Sequence, residues 1–198
     1  GEPFHNKEKL FETLDTLTAP NLFNRSPGSI LVSTVGVPDG MLQCADRFPK
    51  VNLALSLHSV NPDVRRELIP LTKKHPLEEL QATLRELNRR QGIPVMIEYL
   101  MLAGKNDSSE DAAELINWLR DLDVHVNLIP YNEIEDAPHL IGTEDTKIRT
   151  FASQLKAAGL TTTVRYSLGS DIAAACGQLV RKENRQTAMS GNWELPRT

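Results

Sequence analysis

The spacing of apolar residues divides the chain into alternating helical and extended stretches. Leu10, Phe11, Leu14 and Leu17 recur at the 3.6-residue period of an amphipathic helix, with Asn6 placed to cap its start and Pro20 beyond its end. An extended stretch follows from Ser29 to Thr34, and Pro38-Asp39-Gly40 reads as a turn. Over residues 51–58, Val51, Leu53, Leu55 and Leu57 alternate with Asn52, Ala54, Ser56 and His58. This is the period-2 pattern of a strand, and its smaller, more polar face ends in Ser56 and His58.

The second half repeats the alternation. Pro76 suits a first helical position, Leu77, Leu80, Leu84 and Leu87 form a stripe, and Gly92 suits the C-terminal cap before an extended run from Val95 to Leu102. Ser108 and Asp111 resemble a capping box for a helix that buries Leu115, Ile116, Leu119 and Leu122, and a strand is expected from Val124 to Pro130. A last helix from Glu144 to Ala158 carries Ile148, Phe151 and Leu155, stops at Gly159, and gives way to β-branched residues from Thr161 to Tyr166. Residues 1–180 thus read as one α/β domain and 181–198 as a polar tail.

Strands that alternate with helices predict a parallel sheet with helical crossovers, either doubly wound or a barrel. About five such units are too few to close an eight-stranded barrel of roughly 250 residues, so an incomplete barrel is expected. In parallel α/β folds ligands sit at the C-terminal ends of the strands, which places Ser33, Ser56, His58 and Asn132 on one rim.

Composition narrows the function classes. The 198 residues are 40% hydrophobic and 24% charged, ordinary for a soluble domain, and the net charge of -4 argues against a surface that grips nucleic acid through many phosphate contacts. No run of about 18 apolar residues is present, so no membrane span and a cytoplasmic protein are expected. Cys44 and Cys176 fall short of a four-ligand metal site, so no metal is expected within this chain. Gly1-Glu2-Pro3 runs straight into a helix-like segment without an initiator Met, which reads as a piece of a longer protein.

Residues 171–179, Asp-Ile-Ala-Ala-Ala-Cys-Gly-Gln-Leu, together with Gly1-Glu2-Pro3, Ser33-Thr34-Val35-Gly36, Ser56-Leu57-His58, Gly104-x-Asn106-Asp107 and Asn127-Leu128-Ile129-Pro130-Tyr131-Asn132, carry a resemblance. Each string is weak alone; six in one order are specific. The chain resembles the RlmN/Cfr family of radical S-adenosylmethionine RNA methyltransferases, departing from the pattern at Pro38, Thr72 and Leu168. The resemblance implies an incomplete radical-SAM barrel, with the 4Fe-4S cluster-binding Cys loop preceding Gly1, so that this piece alone would be inactive. It also implies methylation of carbon 2 of an adenine in large-subunit ribosomal RNA, with transfer RNA as a further substrate and an electron donor such as flavodoxin.

By the same resemblance Cys176 carries the methyl group. One S-adenosylmethionine methylates it, and a second, cleaved at the cluster, provides a radical that takes a hydrogen from that methyl before it attacks the adenine. Adenine carbons 2 and 8 are not nucleophilic, so a covalent radical carrier makes chemical sense. Glu2 is implied to bind the amino group of S-adenosylmethionine with Gly1 leaving room for it. Ser33, Ser56, Leu57 and His58 would meet its carboxylate or ribose, and Asn132 its ribose or adenine.

Blander and rival readings stand beside these. Cys176 alone would read as a small buried hydrophobe, Glu2 as an exposed terminal carboxylate, and the rim polars as satisfied barrel-interior residues. Glu98, inside an apolar strand, invites an acid–base role, although interior carboxylates often pair with a cation, and Arg165 is the expected partner. Lys73, Lys74, Arg89 and Arg90 read as solvated surface; Arg181, Lys182 and Arg185 could meet phosphate. The alternatives in function are carbon-8 methylation, as in the Cfr branch, a non-catalytic S-adenosylmethionine-binding relic, and a cluster-free metabolic barrel. Intact Cys176 argues against the relic, and the lack of a Gly-rich phosphate loop argues against the metabolic barrel.

Overall fold

Five extended stretches become strands where aliphatic and β-branched residues favour a pleated surface, and the computed structural model, which describes residues 1–132, 137 and 139–165, joins them in one sheet. The strands β1 (Leu31–Thr34), β2 (Asn52–Ser56), β3 (Val95–Met101), β4 (Val124–Pro130) and β5 (Thr161–Val164) lie in the order 1-2-3-4-5, each parallel to the next. A doubly wound sheet reverses its order at a switch point, and this one does not. Right-handed crossovers that always advance in the same direction leave their helices on one side. The result is an arc of barrel wall, as expected from the sequence.

The helices are α1 (Lys7–Thr18), α2 (Pro38–Arg47), α3 (Pro62–Leu68), α4 (Leu77–Gln91), α5 (Ser109–Trp118) and α6 (Asp145–Ala157). Their apolar stripes close over alternate residues of the strands. Val32, Leu53, Leu55, Ile97, Tyr99, Val126 and Leu128 form one buried cluster with Phe11, Leu14, Met41, Leu84, Leu87, Leu115, Phe151 and Leu155. The opposite face of the same strands is more open: Ser33 is exposed and Asn52, Ser56, Glu98 and His125 are half-buried, while Ala54 and Asn127 between them are buried.

Several expectations need correction. Residues 38–40 begin α2 instead of forming a turn. Pro38 takes the first turn of that helix, where its missing N–H costs nothing, and Met41, Cys44 and Ala45 form its buried face. Gly40 is tolerated inside the helix because the Phe4 ring packs there, and a Cβ would lie 2.6 Å from Phe4 Cγ. The short α3 has no apolar stripe. Asn61 starts it by accepting from the N–H groups of Asp63 (3.0 Å) and Val64 (3.3 Å).

Asn6 stands at the N-cap of α1 without a capping bond from its side chain, because a 3₁₀ turn over Pro3–Asn6 already leads the chain into the helix. Pro76 sits one residue earlier than expected, as the N-cap of α4. The capping box of α5 is present in both directions, and Gly92 closes α4 in the left-handed conformation.

Candidate functional site

The C-terminal rim of the sheet is assembled by three side chains that reach across it. Glu2 is the first. Its Oε1 accepts from the Phe4 N–H (3.0 Å) and from Thr34 Oγ1 (2.8 Å), and Oε2 accepts from the Val35 N–H (2.8 Å). The carboxylate therefore caps the opening turn and fastens it to the end of β1; it is not a loose terminal Glu. Gly36 follows in a left-handed conformation (φ 103°), and a Cβ there would meet Leu80 Cδ2 at 2.7 Å.

Arg65 is the second. It is only 2% exposed, and its Nη1 donates to the carbonyls of Ser56 (2.9 Å) and Leu57 while Nη2 donates to that of Val35 (2.7 Å). The guanidinium thus ties the ends of β1 and β2 together. Burial lowers its pKa to about 10, so it stays charged at neutral pH, balanced by carbonyl dipoles in place of a carboxylate. Leu57, expected at the cofactor site, has its side chain in the core at 0% exposure; only its backbone reaches the rim.

Asn106 is the third, and it grips His58. His58 leaves β2 in the left-handed region (φ 59°), and its Nδ1 accepts from the Leu100 N–H (3.1 Å). A backbone N–H can only donate, so Nδ1 is unprotonated and the neutral ring carries its proton on Nε2. Burial, and secondarily the Arg65 charge, lower the His58 pKa to about 4 despite the Glu98 carbonyl nearby. At neutral pH His58 is a hydrogen-bond donor through Nε2, and protonating it would set Nδ1–H against the Leu100 N–H.

Below the rim, the open face carries a polar row. The register aligns Ser56 with Glu98, Glu98 with Asn127 and Asn127 with Thr163. Ser33 Oγ donates to Glu98 Oε2 (3.2 Å), Thr163 Oγ1 donates to Asn127 Oδ1 (3.2 Å), and His125 Nε2 meets Thr163 Oγ1 at 3.0 Å. Arg165 is exposed and makes no ion pair with Glu98, which has a serine hydroxyl as its side-chain partner. The expected pairing is therefore corrected.

Of the residues singled out from sequence, Glu2, Ser33, Ser56 and His58 surround the ends and open face of β1–β3, and Asn132 is half-buried two residues beyond β4. Gly1 is exposed at the start of the turn. Cys176, its loop and the polar tail lie outside the described residues. Sequence reading missed Arg65, Thr34, Asn127 and the grip of Asn106. An Asn61-Pro62 helix start could have revealed α3, and the period-2 phase of β4 could have placed Asn127 beside Glu98.

The donor set determines which groups these residues fit. Hydroxyls, an amide, a carboxylate and a fixed imidazole donor suit a polar molecule that bears hydroxyl, carboxylate and ammonium groups. They do not suit an iron–sulfur cluster: among the described residues no group of three or more His, Cys, Asp or Glu is placed to hold a metal. Cys44 is buried in α2 with its thiol pushed up to about 11 by burial, unlike a metal-binding thiolate. Among the described residues no helix is long and apolar enough to cross a membrane.

Comparison with known proteins gives this geometry relatives. The chain is 58% identical over 189 residues to a probable RNA methyltransferase of Rhodopirellula baltica, covering 96% of the chain and 50% of that protein. It is 41% identical to the ribosomal RNA large subunit methyltransferase Cfr of Clostridium botulinum (90% of the chain, 53% of the relative). It is 36% identical to a probable dual-specificity RNA methyltransferase RlmN of Thermus thermophilus (96% and 53%). A radical SAM methyltransferase from Sphaerobacter thermophilus superposes with a TM-score of 0.85 at 41% identity, covering 90% of this chain and 52% of that one. A domain of a pyruvate-formate lyase-activating enzyme from Bacteroides vulgatus shares the fold alone, at a TM-score of 0.64 and 17% identity. No protein-family model matches the chain. The chain spans about half the length of the curated relatives it matches.

Proposed function

The chain belongs with the RlmN/Cfr-type radical S-adenosylmethionine methyltransferases over the half of their length that it matches, and from that premise we propose that the full-length protein methylates carbon 2 of an adenine in large-subunit ribosomal RNA, with transfer RNA as a further substrate. The observation that carries this reading is the rim itself. Polar residues named by the resemblance converge at the open side of an arc whose TM-score to a radical SAM methyltransferase is 0.85.

In this reading the open face receives S-adenosylmethionine. Glu2 offers a carboxylate with lone pairs beyond the three bonds it already accepts, enough to receive an ammonium group, and exposed Gly1 leaves the approach clear. His58 donates from Nε2, and Ser33 and Ser56 offer hydroxyls, to a carboxylate or ribose oxygen. Asn132 serves the ribose or adenine, and Leu57 contributes backbone alone. A 4Fe-4S cluster in the full-length protein, reduced by a donor such as flavodoxin, would supply the electron that cleaves a carbon–sulfur bond of S-adenosylmethionine and so the capacity for hydrogen-atom abstraction. Cys176 is the methyl carrier in this proposal.

The relatives' names divide between Cfr at 41% and dual-specificity RlmN at 36% identity, which keeps carbon 8 as the competing product. One experiment tests both points. The full-length protein, purified without air, is incubated with methyl-labelled S-adenosylmethionine, reductant and ribosomal RNA, and peptide and nucleoside mass spectra are recorded. Label on Cys176 that then appears as 2-methyladenine is the expected result. 8-Methyladenine would reassign the carbon, and a bare Cys176 in cluster-loaded protein would overturn the proposal.

A further inference from the structure

His58 is held in a rare backbone conformation by a loop that has no part in the roles above. Side-chain-bearing residues seldom adopt its φ of 59°, and such a shape persists only where the surroundings over-determine it. They do so here. Asn106 Nδ2 donates to the His58 carbonyl (2.6 Å) and to the Leu100 carbonyl (2.6 Å), and Asn106 Oδ1 accepts from the Leu102 N–H (2.8 Å). Leu100 is also the residue whose N–H bonds the His58 ring. Both amide hydrogens of one buried side chain therefore go to the two residues that fix the imidazole.

Asn106 is itself anchored from both sides. It is 0% exposed, and its carbonyl accepts from the Tyr99 hydroxyl (2.8 Å). The next residue, Asp107, accepts from the Gly104 N–H (3.0 Å), from Thr143 Oγ1 (3.0 Å) and from Lys147 Nζ (2.8 Å), which pins the loop to α6. Among the described residues the hydrogen bond that holds the His58 ring runs from the Leu100 N–H to Nδ1, and the Glu98 carbonyl is the other polar group beside the ring. With Nδ1 held as an acceptor, Nε2–H is the ring donor that can face a ligand at the rim.

We propose that Asn106 is a positioning residue: it holds the His58 backbone directly and the His58 ring through Leu100, so that Nε2–H stands as a fixed donor to a carboxylate or hydroxyl of the bound small molecule. The proposal rests on the S-adenosylmethionine reading for the identity of that molecule, and on the contacts above for everything else. Replacing the amide by Ser removes both donors to the carbonyls, and replacing it by Asp would set carboxylate oxygens against them.

The test compares S-adenosylmethionine binding by the full-length, cluster-loaded protein in wild type, Asn106→Ser, His58→Ala and the double variant. Asn106→Ser is expected to weaken binding about ten-fold, and to add nothing once His58 is already Ala. Unchanged affinity in a folded Asn106→Ser protein would overturn the proposal. So would the same fold-loss with and without His58, which would mean that Asn106 supports the fold in general. If Asn106→Ser does not fold, the ring tautomer of the wild-type protein, read from long-range proton–nitrogen NMR spectra, still decides: a fixed Nε2–H is expected, and an averaged or Nδ1–H ring contradicts it. Failure of the wild type itself to bind S-adenosylmethionine counts against the functional reading, whereas the tautomer separately tests the positioning.

Discussion

Leu55 and Ser56 are neighbours on β2, yet Leu55 is 0% exposed beneath the helices while Ser56 is half-buried on the open side, in register with Glu98 and the polar row beyond it. The strands carry an apolar core on one face and a polar row on the other, separated by one residue of phase. Stability is concentrated on the first face, and the proposed recognition of S-adenosylmethionine on the second. The contrast can be broken one residue at a time.

The largest expected effect is on the helix side. Leu55→Ala should lower the unfolding free energy by about 3 kcal/mol in urea denaturation, through lost burial and the cavity left behind. Ser56→Ala should stay within about 0.5 kcal/mol in the same assay. Equal losses at the two sites would remove the distinction between the faces.

His58 sharpens the contrast through pH. Its folded pKa of about 4 lies below the ordinary 6.5, so between those values the unfolded chain binds more protons. Stability from this group is complete above about pH 6.5 and is lost as pH falls toward 4, by up to about 3 kcal/mol. Denaturation at a series of pH values should show that slope, and His58→Gln should flatten it.

Arg65→Met should cost about 2 kcal/mol, because the carbonyls of Val35, Ser56 and Leu57 lose their buried donor, and Arg65→Lys should recover only part of that in denaturation. The smallest effect is at a cap. Asn61→Ala should cost about 1 kcal/mol, seen as a small shift of the urea midpoint.

The same contrast explains what could be read from sequence. The alternation of 51–58, the Leu77–Leu87 stripe and the Ser108–Asp111 box specify elements by local pattern, and those elements form as expected. The helix starting at Pro38 was hidden because Pro-Asp-Gly also signals a turn, although Met41, Cys44, Ala45 and Phe48 carry helical spacing. The α3 helix buries only an arginine, so no apolar period marked it. Within the candidate site, Glu2, Ser33, Ser56 and His58 were singled out through motifs. Arg65 and Asn106 act by hydrogen bonds to backbone carbonyls 6 to 48 positions away, which no local pattern encodes. Glu98 was paired with Arg165 on charge alone, whereas the register brings Ser33 to it.

Central to the proposed function is the open polar rim as the place where S-adenosylmethionine binds. The most direct test is the equilibrium affinity of the full-length protein for S-adenosylmethionine, compared between wild type and Ser56→Ala with thermal stability recorded on both. Binding about ten-fold weaker in the variant at unchanged melting temperature is the expected result. Equal affinity in two equally stable proteins would contradict it.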